Sequence, residues 1–184
     1  MTADLDMTAL AAEIDAINRK LGFRDREVTF DEAMELLVTE TSEVTDAWRL
    51  NGFTDMTAHQ RHEWQLPKPQ GAGSEFADIA IRLIDDCTIF LADIPLLPED
   101  MLPERLREKP SSLPAAMFQI VKTAVRASDR YEEGRMDAVR RELNTAWGQV
   151  CWYAELFGID LNREILRKVA YNATRPHMHG GKRM

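Results

Sequence analysis

Leu10, Ile14, Ile17 and Leu21 recur at intervals of three and four, a spacing that gathers side chains on one face of a helix, and Gly22 closes this first segment. Thr29 and Glu32 stand three apart as in a capping box, which predicts a second helix running to about Leu50 and stopped by Asn51-Gly52. Residues 51–73 have little periodicity and read as a connecting loop in which Met56 to Trp64 could form a short helical turn. Ser74 is placed to cap a strongly apolar third segment reaching about Leu91. Pro95, Pro98 and Pro103 then break the chain, around at most one short turn of helix. A fourth helix starts at Ser111 or Ser112, tolerates Pro114 in its first turn and runs to Gly134. A fifth spans Met136 to Phe157 ahead of Gly158; Asp160 caps a sixth, which Pro176 ends. No segment alternates convincingly as a strand does. The predicted fold class is all-α, a four-helix-bundle core made of helices two to five with extra N- and C-terminal helices, in one domain over residues 1–184.

Size and composition agree with that expectation and exclude several others. A chain of 184 residues, 45% hydrophobic, can bury about 70% of its unfolded surface. No apolar run approaches the roughly 20 residues that span a bilayer, and Asp4 and Asp6 stand where a targeting peptide carries bases. A cytoplasmic location is therefore expected. Cys87 and Cys151 lie in apolar runs without metal-ligand spacing, as buried free thiols of a reducing compartment do. A net charge of −8 argues against a general nucleic-acid surface. The charge is uneven: from Arg163 onward six bases face one acid, a net of +5, which leaves −13 on the rest. An acidic body with a basic tip can hold a cation and an anionic ligand in one place.

Four acids occupy positions that pattern alone assigns to the interior. On a wheel of about 100° per residue centred on Glu40, Ala33 falls at about +20°, Val44 at about +40° and Leu36 at about −40°. Glu40 is thus in the middle of the apolar stripe and Glu43 on its shoulder. Glu75 and Asp78 repeat the arrangement on a segment surrounded by Phe76, Ala77, Ile79, Ala80 and Ile81. Buried carboxylates are costly and repel one another, so they take up protons, pair with cationic side chains or hold a metal. All-oxygen ligands with open positions suit Mg²⁺, with Mn²⁺ as a substitute, and the absence of His from both pairs argues against zinc. The other resolution is ion pairing with Arg82, Lys68 or a subunit partner. Asp85 has the same two options, a metal role or an ion pair with Arg82.

Glu40-x-x-Glu43, a spacer, then Glu75-x-x-Asp78 resembles the signature of the MazG-like all-α nucleoside triphosphate pyrophosphohydrolases. The stretch Lys68-Pro69-Gln70-Gly71 through Glu75-Phe76-Ala77-Asp78 to Arg82 and Asp85 is similar to the text around that family's second acid pair. Gly158-Ile159-Asp160-Leu161, followed by Lys168-x-x-Tyr171-Asn172-x-Thr174-Arg175-Pro176 and His179-Gly180-Gly181-Lys182, is similar to its closing segment. The likeness runs from about Glu32 to Lys182. Gln70 and Phe76 depart from the usual acid and Leu, and the 31-residue spacer from Val44 to Ser74 is longer than usual; no ligand position is lost.

The resemblance implies hydrolysis of an NTP or dNTP to the monophosphate and pyrophosphate, in nucleotide-pool control or sanitation. It assigns Glu40, Glu43, Glu75 and Asp78 to Mg²⁺, with Glu40 or Glu43 as the group that activates water. Lys168, Asn172 and Arg175, spaced four and three apart on one strip of the last helix, are carried over as nucleotide-binding residues. Lys182, in a basic tail over 176–184, could close over phosphates. Trp48 and Tyr171 are candidates either to stack a base or to fill the core; Trp147, Trp152 and Tyr153 are expected in the bundle or a dimer interface. His59, His62 and His177 are expected on the surface. A homodimer or homotetramer is implied, with no nucleic-acid or membrane partner, in a bacterium or encoded by a bacteriophage. The alternatives are specialisation for dUTP or dCTP, and a catalytically silent bundle that binds nucleotides or a protein.

Overall fold

The computed structural model describes residues 5–54, 56–57, 66–92 and 109–177. Among these residues the fold is all-helical apart from one minimal ladder. Helices α1 (Met7–Lys20), α2 (Phe30–Asn51), α3 (Ala72–Asp86), α4 (Leu113–Glu132), α5 (Met136–Leu156) and α6 (Leu161–Ala173) carry the chain. Local chemistry sets most of their ends. The Asp6 carboxylate accepts from the Thr8 and Ala9 amides and starts α1. Thr29 and Glu32 form a reciprocal capping box, Thr29 Oγ1 accepting from the Glu32 amide at 3.3 Å and Glu32 accepting from the Thr29 amide at 3.0 Å. Ser112 caps α4 with Pro114 in its first turn, and Asp160 caps α6.

Helix α3 is the centre of the packing. Twelve of its fifteen residues are buried, so it has almost no solvent face. It contacts α1, α2, α5 and α6, while α2 also packs on α4 and α4 on α5. The expected body of helices two to five is thus joined by α6, laid directly on α3. One contiguous core includes Leu37, Phe76, Leu83, Ile120, Trp147, Tyr153 and Ile165. Both Cys87 and Cys151 are buried free thiols.

Three expectations about the third segment need correction. Ser74 does not cap it: the helix begins at Ala72, after Gly71 at φ +103°, where a left-handed backbone favours glycine. The Ser74 hydroxyl instead donates to the Pro69 carbonyl at 3.1 Å. The α-helix ends at Asp86 rather than near Leu91, and Cys87–Leu91 continue as one π-helical turn up to Ala92 at φ +49°. The connecting loop holds a two-residue antiparallel ladder, β1 (Met56–Thr57) with β2 (Pro69–Gln70), Met56 facing Gln70, which the pattern did not reveal. The proline-rich stretch at 95–103, His59, His62 and the tail from His179 through Lys182 lie outside the described residues.

Candidate functional site

Acids from α2 and α3 meet beside the base-bearing face of α6. Glu40, Glu43 and Glu75 each offer an oxygen within 4.8 Å of the others. Glu43 is exposed, Glu40 half-buried and Glu75 buried, so the group runs from solvent into the protein. Asp78, one helical turn beyond Glu75, makes a close ion pair with the Lys168 ammonium of α6. The same ammonium lies 3.5 Å from Glu75 Oε2 and donates to Ser74 Oγ at 3.0 Å. Arg82, in the next turn of α3, reaches back to Glu40 at 3.2 Å.

The electrostatics follow from burial. Lys168 is only 2% exposed, which by itself would discharge it; Asp78, Glu75 and Glu40 outweigh that and hold the ammonium above its ordinary range. Burial pushes the Glu75 carboxyl up to about 7, with Lys168 pulling down and Asp78 pushing further up. Glu40 is raised for the same first reason, helped by Asp78 and Glu43 and opposed by Arg82. Glu75 Oε2 is buried and accepts no hydrogen bond. Its one cationic neighbour, the Lys168 ammonium 3.5 Å away, makes an ion pair without a hydrogen bond, so a closer cation or a proton would stabilise it further.

Glu40, Glu43, Asp78, Arg82 and Lys168 border a cavity of about 240 Å³, and Glu75 lies behind them rather than in its lining. One wall bears Glu40, Glu43, Asp78 and Asp85, and the cations Lys68, Arg82, Lys168 and Arg175 also line the space. The rest is uncharged: Asn18, Leu21 and Phe23 from α1 and the turn after it, Ile81 from α3 and Asn172 from α6. Lys168 and Asn172 lie on α6, whereas Arg175, expected on the same helix, follows its end at Ala173; all three line this one space. Arg175 is backed by the Tyr171 ring, its guanidinium carbon 5.7 Å from the ring centroid. A larger hollow of about 320 Å³ at the α5–α6 corner has Glu155 and Asp160 but no cationic side chain, and it gathers none of the expected site residues.

Several sequence readings resolve differently. Asp85 pairs with Arg24, not Arg82, and Arg24 also holds Asp15 at 3.1 Å, tying the end of α1 to α3. The cause is reach: Arg82 points towards Glu40 on α2, while Asp85 faces the turn after α1. Trp48 packs against the core and does not line the cavity, and Tyr171 is buried behind Arg175 rather than open to a base. Sequence reasoning missed Asn18, Leu21 and Phe23 altogether, since the first helix carries no unusual polar residue on its apolar stripe. Asp86 was also missed; it is 3% exposed, and burial followed by the neighbouring Asp85 charge pushes it up to about 8.

No family model, no curated protein and no solved structure matches this chain. Among the described residues no helix is long and apolar enough to cross a membrane.

Proposed function

We propose that this chain is a divalent-cation-dependent nucleoside triphosphate pyrophosphohydrolase, converting (d)NTP and water to (d)NMP and pyrophosphate. The observation that carries the reading is one cavity in which converging carboxylates stand next to Lys68, Lys168 and Arg175. A cluster of acids alone would suit many purposes, and a cluster of bases alone would bind any anion. Together they match a polyanion that arrives with a hard cation.

The donor set fits Mg²⁺, or Mn²⁺ in its place: all ligand atoms are oxygens, three carboxylates present one each within 4.8 Å, and Glu75 Oε2 is buried with no hydrogen bond beyond its 3.5 Å ion pair to Lys168. Glu40, Glu43 and Glu75 would hold it, with Asp78 joining when Lys168 turns to phosphate. When bound, the ion supplies charge neutralisation of the triphosphate and Lewis-acid polarisation of a phosphoryl oxygen. Lys168 and Lys68 supply point charges to phosphate oxygens, and the Arg175 fork can hold two at once. Asn172, on the same strip, donates its amide. Glu43, the exposed member, is positioned to accept the proton of the attacking water while the α–β anhydride bond breaks and pyrophosphate leaves with its electron pair. We place this activity on the cytoplasmic nucleotide pool of a bacterium or of a phage-infected one, in a homodimer or homotetramer. Phe118 and Val125, exposed seven residues apart on α4, support an assembling surface.

A second reading has its own observation. Lys168 and Arg82 already neutralise part of the acid cluster, as befits a catalytically silent module that binds nucleotides or a protein. Hydrolysis of the eight common NTPs and dNTPs and of dUTP, with and without Mg²⁺, products resolved by chromatography and Glu43→Gln as control, separates the two. Monophosphate and pyrophosphate, lost in the variant, establish the hydrolase and rank dUTP and dCTP among the substrates. Absence of turnover, or diphosphate plus phosphate as products, overturns it.

A further inference from the structure

The charged part of the cavity accounts for a triphosphate and leaves its uncharged part without a task. Most of that part comes from an element the phosphate chemistry does not use, the end of α1 and the turn after it. Leu21 and Phe23 are 2% and 8% exposed and form an apolar floor, joined by Ile81 across the space. Asn18 stands one turn before Leu21, half-buried, and its side-chain amide has no hydrogen-bond partner among the described residues. An apolar slot with one amide, offering a donor and an acceptor in one plane, suits a flat heterocycle whose faces are apolar and whose edge is polar.

The placement of this wall is firm. Arg24 bridges Asp15 of α1 and Asp85 of α3, and Lys20 Nζ donates to the Ala173 carbonyl of α6 at 3.0 Å. Gly22, at φ +85°, lets the chain turn from Asn18 to Phe23 within a space where a side chain would strike the His177 imidazole. Helix α3, which carries Glu75 and Asp78, and α6, which carries Lys168 and Asn172, are therefore both tied to the end of α1. A wall held from two sides can discriminate between ligands, because a misfit is not relieved by letting it swing away.

We infer that the α1 end of the cavity is the nucleobase subsite and that Asn18 is a specificity-determining residue reading the base edge. The assignment rests on the hydrolase reading for its substrate class, and it makes that class nucleosidic rather than any polyphosphate. Removing the amide strips a hydrogen bond from the bases that match it and leaves the contacts to phosphate in place. Ala is the best helix former, so Asn18→Ala on the half-exposed face of α1 keeps the helix.

The test measures kcat/KM for the eight nucleotides and for inorganic tripolyphosphate, with wild-type protein and Asn18→Ala, alongside equilibrium titration of the same nucleotides. The expected result is a fall of about tenfold or more for the preferred nucleotide, at least tenfold larger than any change for tripolyphosphate, and a flattened ranking of bases. An unchanged ranking, or an equal fall for nucleotides and tripolyphosphate, overturns the subsite. If wild-type protein binds nucleotides selectively without turnover and Asn18→Ala flattens that selectivity, the hydrolase reading fails and the subsite stands. If it neither binds nor hydrolyses any nucleotide, both fall.

Discussion

Two helix interfaces in this molecule bury polar groups, and they treat them in opposite ways. Between α4 and α5 the Thr123 hydroxyl donates to Gln149 Oε1 at 2.9 Å and accepts from Arg126 at 2.9 Å, while Arg126 holds Glu142 at 3.0 Å. Thr123 and Gln149 are essentially inaccessible, neutral and satisfied. Around α3, where it meets α1, α2 and α6, the buried groups are Glu75, Asp85, Asp86 and Lys168, and both Glu75 and Asp86 keep an oxygen without a hydrogen bond. The first interface uses polarity to fix the register of two helices. The second accumulates charge beyond what register requires, and stability alone does not explain that excess. This excess of buried ionisable groups stands beside the cavity that Glu40, Asp78, Asp85 and Lys168 line, where the proposed ligand would sit.

The sharpest way to break this contrast is to remove core volume at the satisfied interface. Trp147→Ala, on the buried face of α5, is expected to cost about 3–5 kcal/mol in urea unfolding. Glu75→Gln at the other interface is expected to leave stability unchanged or raised, while kcat/KM for nucleotide hydrolysis falls by about a hundredfold or more. Equal stability loss at both positions would show that Glu75 is structural. Thr123→Val leaves Gln149 Oε1 buried without its donor and should cost about 1–3 kcal/mol with catalysis unaffected.

Asp86 sharpens the contrast through pH. Its carboxyl titrates at about 8 in the fold against 3.8 ordinarily, so the folded state holds the proton more tightly than the unfolded one. The stability this provides is complete below about pH 4 and is lost as pH rises through about 8. Asp86→Asn removes that dependence: its melting temperature should exceed that of the wild type increasingly from neutral to alkaline pH, in scans from pH 4 to 9. Identical pH profiles would place Asp86 outside this account. The smallest effect belongs to Thr29→Ala, which dismantles the capping box of α2 and should cost about 1 kcal/mol by the same unfolding measurement.

Much of this was legible along the chain, and the reason is locality. Thr29 with Glu32, Ser112 with Pro114, and Asp160 after Gly158 announce their helices because caps act within four residues. The wheel put Glu40 and Glu75 among apolar neighbours because burial on one helix is a matter of angle. What stayed hidden depends on contacts between distant residues. Arg24 with Asp85 and Lys20 with the Ala173 carbonyl join segments 61 and 153 residues apart, and no periodicity encodes such meetings. The Ser74 hydroxyl misled for a related reason, since its partners are the Pro69 carbonyl and the distant Lys168 rather than its own helix end.

The buried ammonium of Lys168 carries a consequence for handling the protein. Because it lies between Ser74, Glu75 and Asp78, the chain brings its own counter-charge to the acids and does not wait for a metal in order to fold. Under the proposed hydrolase reading, chelation is expected to abolish turnover and barely move the melting curve, unlike a zinc finger stripped of its ion. On that reading, a cell short of divalent cation would keep the protein intact and idle, ready to resume work once the ion returned.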